Sequence, residues 1–120
     1  MHRIPYHLMS AGSILCLALL AACGQGVDPA IVAKAETAQP ADPDLAALYN
    51  QSCKACHGRS GSGAPLTGYT KVWEMRLAKG EETLLSNTIN GYGGMPPLGS
   101  CMDCDAEDFL ALIRFMAEGS

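Results

Sequence analysis

The stretch Cys53-Lys54-Ala55-Cys56-His57 limits what this chain can fold into more than any other. In a helix, positions i and i+3 share a face, so Cys53 and Cys56 can present both sulfurs to one flat object lying alongside. A haem has two vinyl groups at a suitable separation, and thioether bonds to both would fix it to the chain. His57 follows the second sulfur directly, which holds its imidazole beneath the iron as an axial donor. Cys-x-x-Cys-His therefore reads as the attachment site of one covalent haem c. A thioredoxin-like redox pair competes, but it belongs beside a βαβ pattern that the sequence lacks. A zinc-stabilised binding module using Cys53, Cys56, Cys101 and Cys104 is the stronger rival, although the 44 residues between the pairs exceed ribbon spacing.

The region around this motif has helical periodicity. Leu45, Leu48, Tyr49, Ser52, Cys53 and Cys56 fall on one helical face, with Asp44 as the N-cap. Gly58 to Gly68 is a loop by composition. Short helices are predicted over Val72 to Lys79, stopped by Gly80, and over Glu81 to Ile89, stopped by Asn90-Gly91. Asp105 caps a last helix in which Phe109, Leu112, Ile113 and Met116 repeat at helical spacing up to Gly119. No alternating strand pattern is present, so the fold class is all-α. Asp44 to Ser120 gives a domain of 77 residues. At that size one apolar core leaves little net stability, and a cofactor or disulfide commonly supplements it.

The chain opens MHRIPYHLMSAGSILCLALLAACG. Arg3, an apolar run from Ile14 to Ala22 and small residues before a cysteine have the layout of a secretory signal over residues 1–22, with a run too short to span a bilayer. Leu20-Ala21-Ala22-Cys23 is similar to the bacterial lipoprotein signal, which makes Cys23 the lipidated first residue; an ordinary signal with an incidental Cys23 is the alternative. Two or more acyl chains, each gaining about 0.8 kcal/mol per buried CH₂, would anchor the protein on the periplasmic side of a membrane. Gly24 after the cysteine tilts that choice toward the outer membrane. Residues 23–43, rich in Ala and small polar residues with three prolines and no aromatic, read as a flexible tether. About 20 residues of such chain could stretch to roughly 70 Å.

Export also places the cysteines in an oxidising compartment. Removing Arg3 with the signal leaves seven Lys and Arg against twelve Asp and Glu, a net charge of −5. That balance argues against nucleic acid as a partner, which requires a clustered basic face. Lys54 and Arg59 flank the attachment motif and read either as a docking rim or as ordinary solvated charges.

The sixth iron ligand follows by elimination. His2 and His7 leave with the signal, so His57 is the one histidine of the mature chain and a bis-histidine haem is impossible within it. Of the methionines in the mature chain, Met75 and Met116 fall inside helical patterns and read as core packing. Met95, in GYGGMPPLGSC, lies between glycines that permit tight turns and Pro96-Pro97, which fix φ, an arrangement that aims a thioether. His57 and Met95 are therefore read as the axial pair. With both positions filled by protein, no site remains for oxygen, peroxide or nitrite, so electron exchange is the chemistry left and an enzyme is not expected.

Cys101 and Cys104, oxidised, would most simply form a small disulfide pinning the Met95 arm to the last helix; a redox-active dithiol is the functional alternative. Pro65, soon after the motif, can offer its carbonyl to the second ring nitrogen of His57. Trp73 and Tyr92 read as packing residues, with Trp73 near a haem edge.

With CKACH, GAP, INGYGGMPP and the CMDC pair in this order, Leu45 to Met116 resembles the cytochrome c5 group of class I c-type cytochromes. The resemblance implies a small monohaem cytochrome c fold, a covalent haem held by His57 and Met95, and a Cys101–Cys104 disulfide. It also implies a one-electron carrier of a bacterial respiratory chain that meets donor and acceptor proteins transiently. Cys23 departs from the pattern of freely diffusing carriers. A haem subunit fixed within a larger oxidoreductase is the other role compatible with these motifs.

Overall fold

The computed structural model describes residues 26–120. The signal peptide expected over 1–22 and the lipidated Cys23 lie outside the described residues. Six α-helices follow in order: α1 Pro29–Thr37, α2 Pro43–Leu48, α3 Lys54–His57, α4 Thr70–Leu77, α5 Glu81–Asn90 and α6 Ala106–Glu118. A π turn, Tyr49–Cys53, joins α2 to α3, and a 3₁₀ turn, Pro97–Ser100, lies between α5 and α6. Among the described residues the only β pairing is an isolated antiparallel bridge between Tyr92 and Met95. The fold is all-α, as the periodicity predicts.

Helix α1 occupies part of the stretch expected to be a flexible tether. Asp28 caps it by accepting the Ala30 N–H at 2.8 Å, and Pro29 supplies the fixed φ of a first helical turn. The alanines that suggest a featureless linker are the best helix formers. Ala35 is fully buried and Ala38 nearly so. The prolines thus act as helix punctuation, with Pro29 inside the start and Pro40 beyond the end.

The N-cap of α2 is Asp42, whose Oδ1 accepts the Leu45 N–H at 2.8 Å, and Asp44 lies in the first turn instead. Pro43 at the first helical position moves the cap two residues upstream of the expected one. Helix α6 has a reciprocal capping box. Asp105 accepts from Glu107 and Asp108 backbone N–H groups, and the Asp108 carboxylate accepts the Asp105 N–H at 3.0 Å. Its inner face buries Phe109, Leu112, Ile113 and Met116. The core gathers Leu112, Ile113 and Met116 against Tyr49, Trp73, Leu84 and Phe115, and the Tyr49 and Phe115 rings meet edge to face at 4.9 Å.

Met75, expected in the core, is 58% exposed, whereas Met116 is buried. The positions of α4 that point inward are Val72, Trp73, Arg76 and Leu77, and Met75 falls on the opposite side of this short helix. Tyr92, read as a packing residue, is also mostly exposed because it forms the outer limb of a tight turn.

Candidate functional site

The π turn Tyr49–Cys53 widens the helix where the Cys-x-x-Cys-His motif begins, with the Lys54 N–H reaching back to the Tyr49 carbonyl. Such insertions recur at functional sites because they rotate the next turn without breaking the helix. Here Tyr49 and Ser52 turn inward, Cys53 becomes half-buried, Cys56 is exposed and His57 is buried. Neither Cys53 nor Cys56 is engaged in a disulfide.

His57 is held from both ends. Its Nδ1 lies 2.8 Å from the Pro65 carbonyl, and its own carbonyl accepts the Thr67 N–H at 2.9 Å. A carbonyl can only accept, so Nδ1 carries the proton and Nε2 presents its lone pair. Burial lowers the His57 pKa, the Pro65 contact opposes that, and the Arg76 charge adds to it. The imidazole is thus kept neutral, as a metal ligand requires. The Trp73 ring lies 5.9 Å from the His57 ring, and its Nε1–H donates to the Leu66 carbonyl at 2.8 Å. The segment Pro65–Thr67 therefore receives or makes hydrogen bonds with His57, Tyr49 and Trp73 together.

Met95 occupies a separate arm. Tyr92 and Met95 exchange backbone hydrogen bonds of 3.1 and 2.9 Å around Gly93-Gly94, which closes a tight turn. Gly91, at φ 84°, has no room for a side chain, since a Cβ would lie 3.0 Å from the Met95 carbonyl oxygen. The Met95 methyl lies against Gly99, within 3.1 Å of where a Cβ would stand. Leu98 and Ser100 adopt left-handed φ of 59° and 62°, a strained conformation for residues with side chains. This 3₁₀ turn packs on both α5 and the π turn, which brings the base of the Met95 arm to the turn carrying Cys53.

Cys101 and Cys104 form a disulfide, with Cα atoms 5.5 Å apart, between that arm and the cap of α6. Two of the four thiols that the zinc module requires are thereby consumed. Of the remaining methionines, Met102 is 79% exposed, and Lys54 is half-buried while Arg59 is exposed.

Tyr49 and Thr67 contribute to the His57 setting, and α1 forms ahead of it, none of which the sequence reading singles out. Asp28-Pro29 before an alanine-rich run is a usable signal for α1; the Tyr49–Thr67 contact has none in a single sequence.

Residues 40–116 match the family model described as cytochrome c oxidase, cbb3-type, subunit III. The chain is 35% identical over 72 residues to cytochrome c5 of Ectopseudomonas mendocina, which is 58% of this chain and 83% of that protein. It is 38% identical over 76 residues to cytochrome c5 of Azotobacter vinelandii, 62% of this chain and 88% of that one. The chain belongs to the class I c-type cytochromes, in the cytochrome c5 group.

A solved relative agrees with that placement. A chain in the crystal structure of an electron transfer complex of nitrite reductase with cytochrome c superimposes with a TM-score of 0.57 at 32% identity. The match covers 65% of this cytochrome and 95% of that chain. A c-type cytochrome of this group holds one covalent haem c. The two cysteines of α3 and its preceding turn, outside the disulfide and beside a buried imidazole with an available Nε2, fit that group. Helix α1 lies outside the stretch matched by the family model.

Proposed function

We propose that this cytochrome is a one-electron carrier whose haem is bonded through Cys53 and Cys56 and ligated by His57 Nε2 and the Met95 sulfur. The observation that carries this is the 2.8 Å contact of His57 Nδ1 with the Pro65 carbonyl, which leaves Nε2 as the donor at the end of the attachment turn. The bound haem supplies a reversible one-electron couple, and a histidine–methionine pair sets it at a higher potential than two imidazoles would.

The chain's own residues orient and exclude. The Pro65 carbonyl orients the imidazole, the Thr67 N–H holds the His57 backbone, Trp73 covers the ring's flank, and the Tyr92–Met95 turn with the Cys101–Cys104 disulfide restrains the thioether arm. Filling both axial positions with protein donors leaves no coordination site for a substrate, which supports a carrier over an enzyme. Transient redox partners fit that role, as in the nitrite reductase complex of the solved relative.

The lipoprotein-like sequence around Cys23 supports a periplasmic, lipid-anchored location in a bacterial respiratory chain, with the outer membrane favoured by Gly24. Potentiometric titration of the visible spectrum is the test: a single one-electron Nernst curve is expected, and a colourless protein containing zinc would end the reading. The family description favours a second role, as a haem subunit fixed in a larger oxidoreductase. Stable co-purification with such a partner would select it over a mobile carrier.

A further inference from the structure

Helix α1 is additional to the stretch matched by the family model, and it touches the structure at the residues next to the two hydrogen bonds that hold His57. Gly58 follows His57, and a Cβ placed on it would lie 3.6 Å from the Ala35 carbonyl oxygen. Gly68 follows Thr67, the donor to the His57 carbonyl, and the Lys34 side chain lies within 3.1 Å of a Cβ position there. The same Lys34 methylene stands 3.1 Å from a Cβ position on Gly119, and its Nζ donates to the Glu118 carbonyl at 3.5 Å.

The glycines pack without intervening side chains. A Cβ on Gly119 would fall 2.5 Å from Gly68 Cα, and the Gly68 N–H donates to the Met116 carbonyl at 2.7 Å. Gly68, at the end of the segment that carries the Pro65 carbonyl, is thus pressed between the C-terminal end of α6 and α1, with Ala35 fully buried behind the His57 turn. Val27, just ahead of α1, borders the same surface hollow as Pro65. A backbone segment held on two sides cannot drift, and a carbonyl that cannot drift holds its donor.

We infer that α1 is a positioning element for His57: Ala35 against Gly58, and Lys34 across Gly68 and Gly119, keep the Pro65 carbonyl on Nδ1 and thereby tune the donor strength of Nε2. This rests on His57 being the haem ligand. A hydrogen bond from Nδ1–H makes the imidazole a stronger donor, which favours the ferric state. Loosening it shifts the couple toward ferrous.

The test uses full-length protein with its haem, comparing Ala35→Asp and Lys34→Ala with Glu36→Ala, an exposed control on α1. Both variants are expected to speed amide exchange at Thr67 by at least about tenfold while Leu84 of α5 is unmoved, as for a local opening. Both should also raise the midpoint potential, and Glu36→Ala should change neither quantity. Should Ala35→Asp not fold, Lys34→Ala carries the same two measurements. Exchange that rises equally at Thr67 and Leu84, or a potential that stays put with histidine ligation intact, overturns the bracing role. A wild-type iron without histidine ligation would instead remove the reading beneath it.

Discussion

The buried hydroxyls of Tyr49 and Thr67 meet at 2.9 Å, and the backbone N–H of the same threonine donates to the His57 carbonyl. Tyr49 comes from the π turn before the attachment motif, and Thr67 from the loop after it. One hydrogen bond therefore closes the loop around the histidine. Burial raises the Tyr49 pKa above its ordinary value, so the phenol stays protonated and able to donate. Thr67→Val leaves that hydroxyl without a partner and is expected to cost about 1–3 kcal/mol in chemical denaturation. Tyr49→Phe added to it should restore part of the loss, and strictly additive losses would deny the contact its role.

The Cys101–Cys104 disulfide closes too short a loop to contribute much through the unfolded chain. Cys101→Ala with Cys104→Ala is expected to lose about 2 kcal/mol, with the covalent haem retained. Amide exchange should accelerate at Met95 and Cys101 ahead of α4. Uniform acceleration over the chain would show that the disulfide does not restrain the arm in particular.

Glu81 in the first turn of α5 and Arg114 in α6 form a two-pronged ion pair on the surface, at 2.8 and 2.6 Å. The Arg114 hydrogen bonds hold the Glu81 carboxyl below the usual glutamate range. A depressed folded pKa means that its contribution is present above the unfolded value and is lost as pH falls through the folded one. Thermal unfolding of Glu81→Gln should therefore lie slightly below wild type at neutral pH and converge with it in acid. The gap should shrink in high salt, because both side chains are exposed.

Intact mass of the membrane fraction checks the anchor. The mature chain is expected to begin at Cys23 and to carry added acyl mass, and Cys23→Ser should move the protein to the soluble fraction. An unmodified mass in the membrane fraction would contradict the lipid reading.

The attachment motif, the α6 helix and the glycine-proline setting of Met95 are legible because each is written within a few adjacent residues. CKACH fixes sulfur spacing, Asp105 and Gly119 bracket a regular apolar stripe, and Gly91 and Gly93 announce backbone turns. The π turn is not legible, since Leu45 to Cys56 keeps ordinary helical spacing across it. Met75 misleads for a related reason: a short helix presents a narrow inner face, and one position beside it is already in solvent. Helix α1 was hidden by composition, because alanine with scattered proline describes a linker as well as a capped helix. The hydrogen bonds of Pro65 and Thr67 to His57, and the packing of Gly68 on α6 and α1, join segments that no local pattern in the sequence connects.

Carbon monoxide binding to the ferrous protein tests the axial pair most directly. An iron closed by His57 and Met95 leaves the wild-type visible spectrum unmoved by the gas, while Met95→Ala takes it up and shifts. A wild-type spectrum that shifts on its own, or a Met95→Ala protein no more reactive than wild type, would contradict the closed iron on which the carrier role depends.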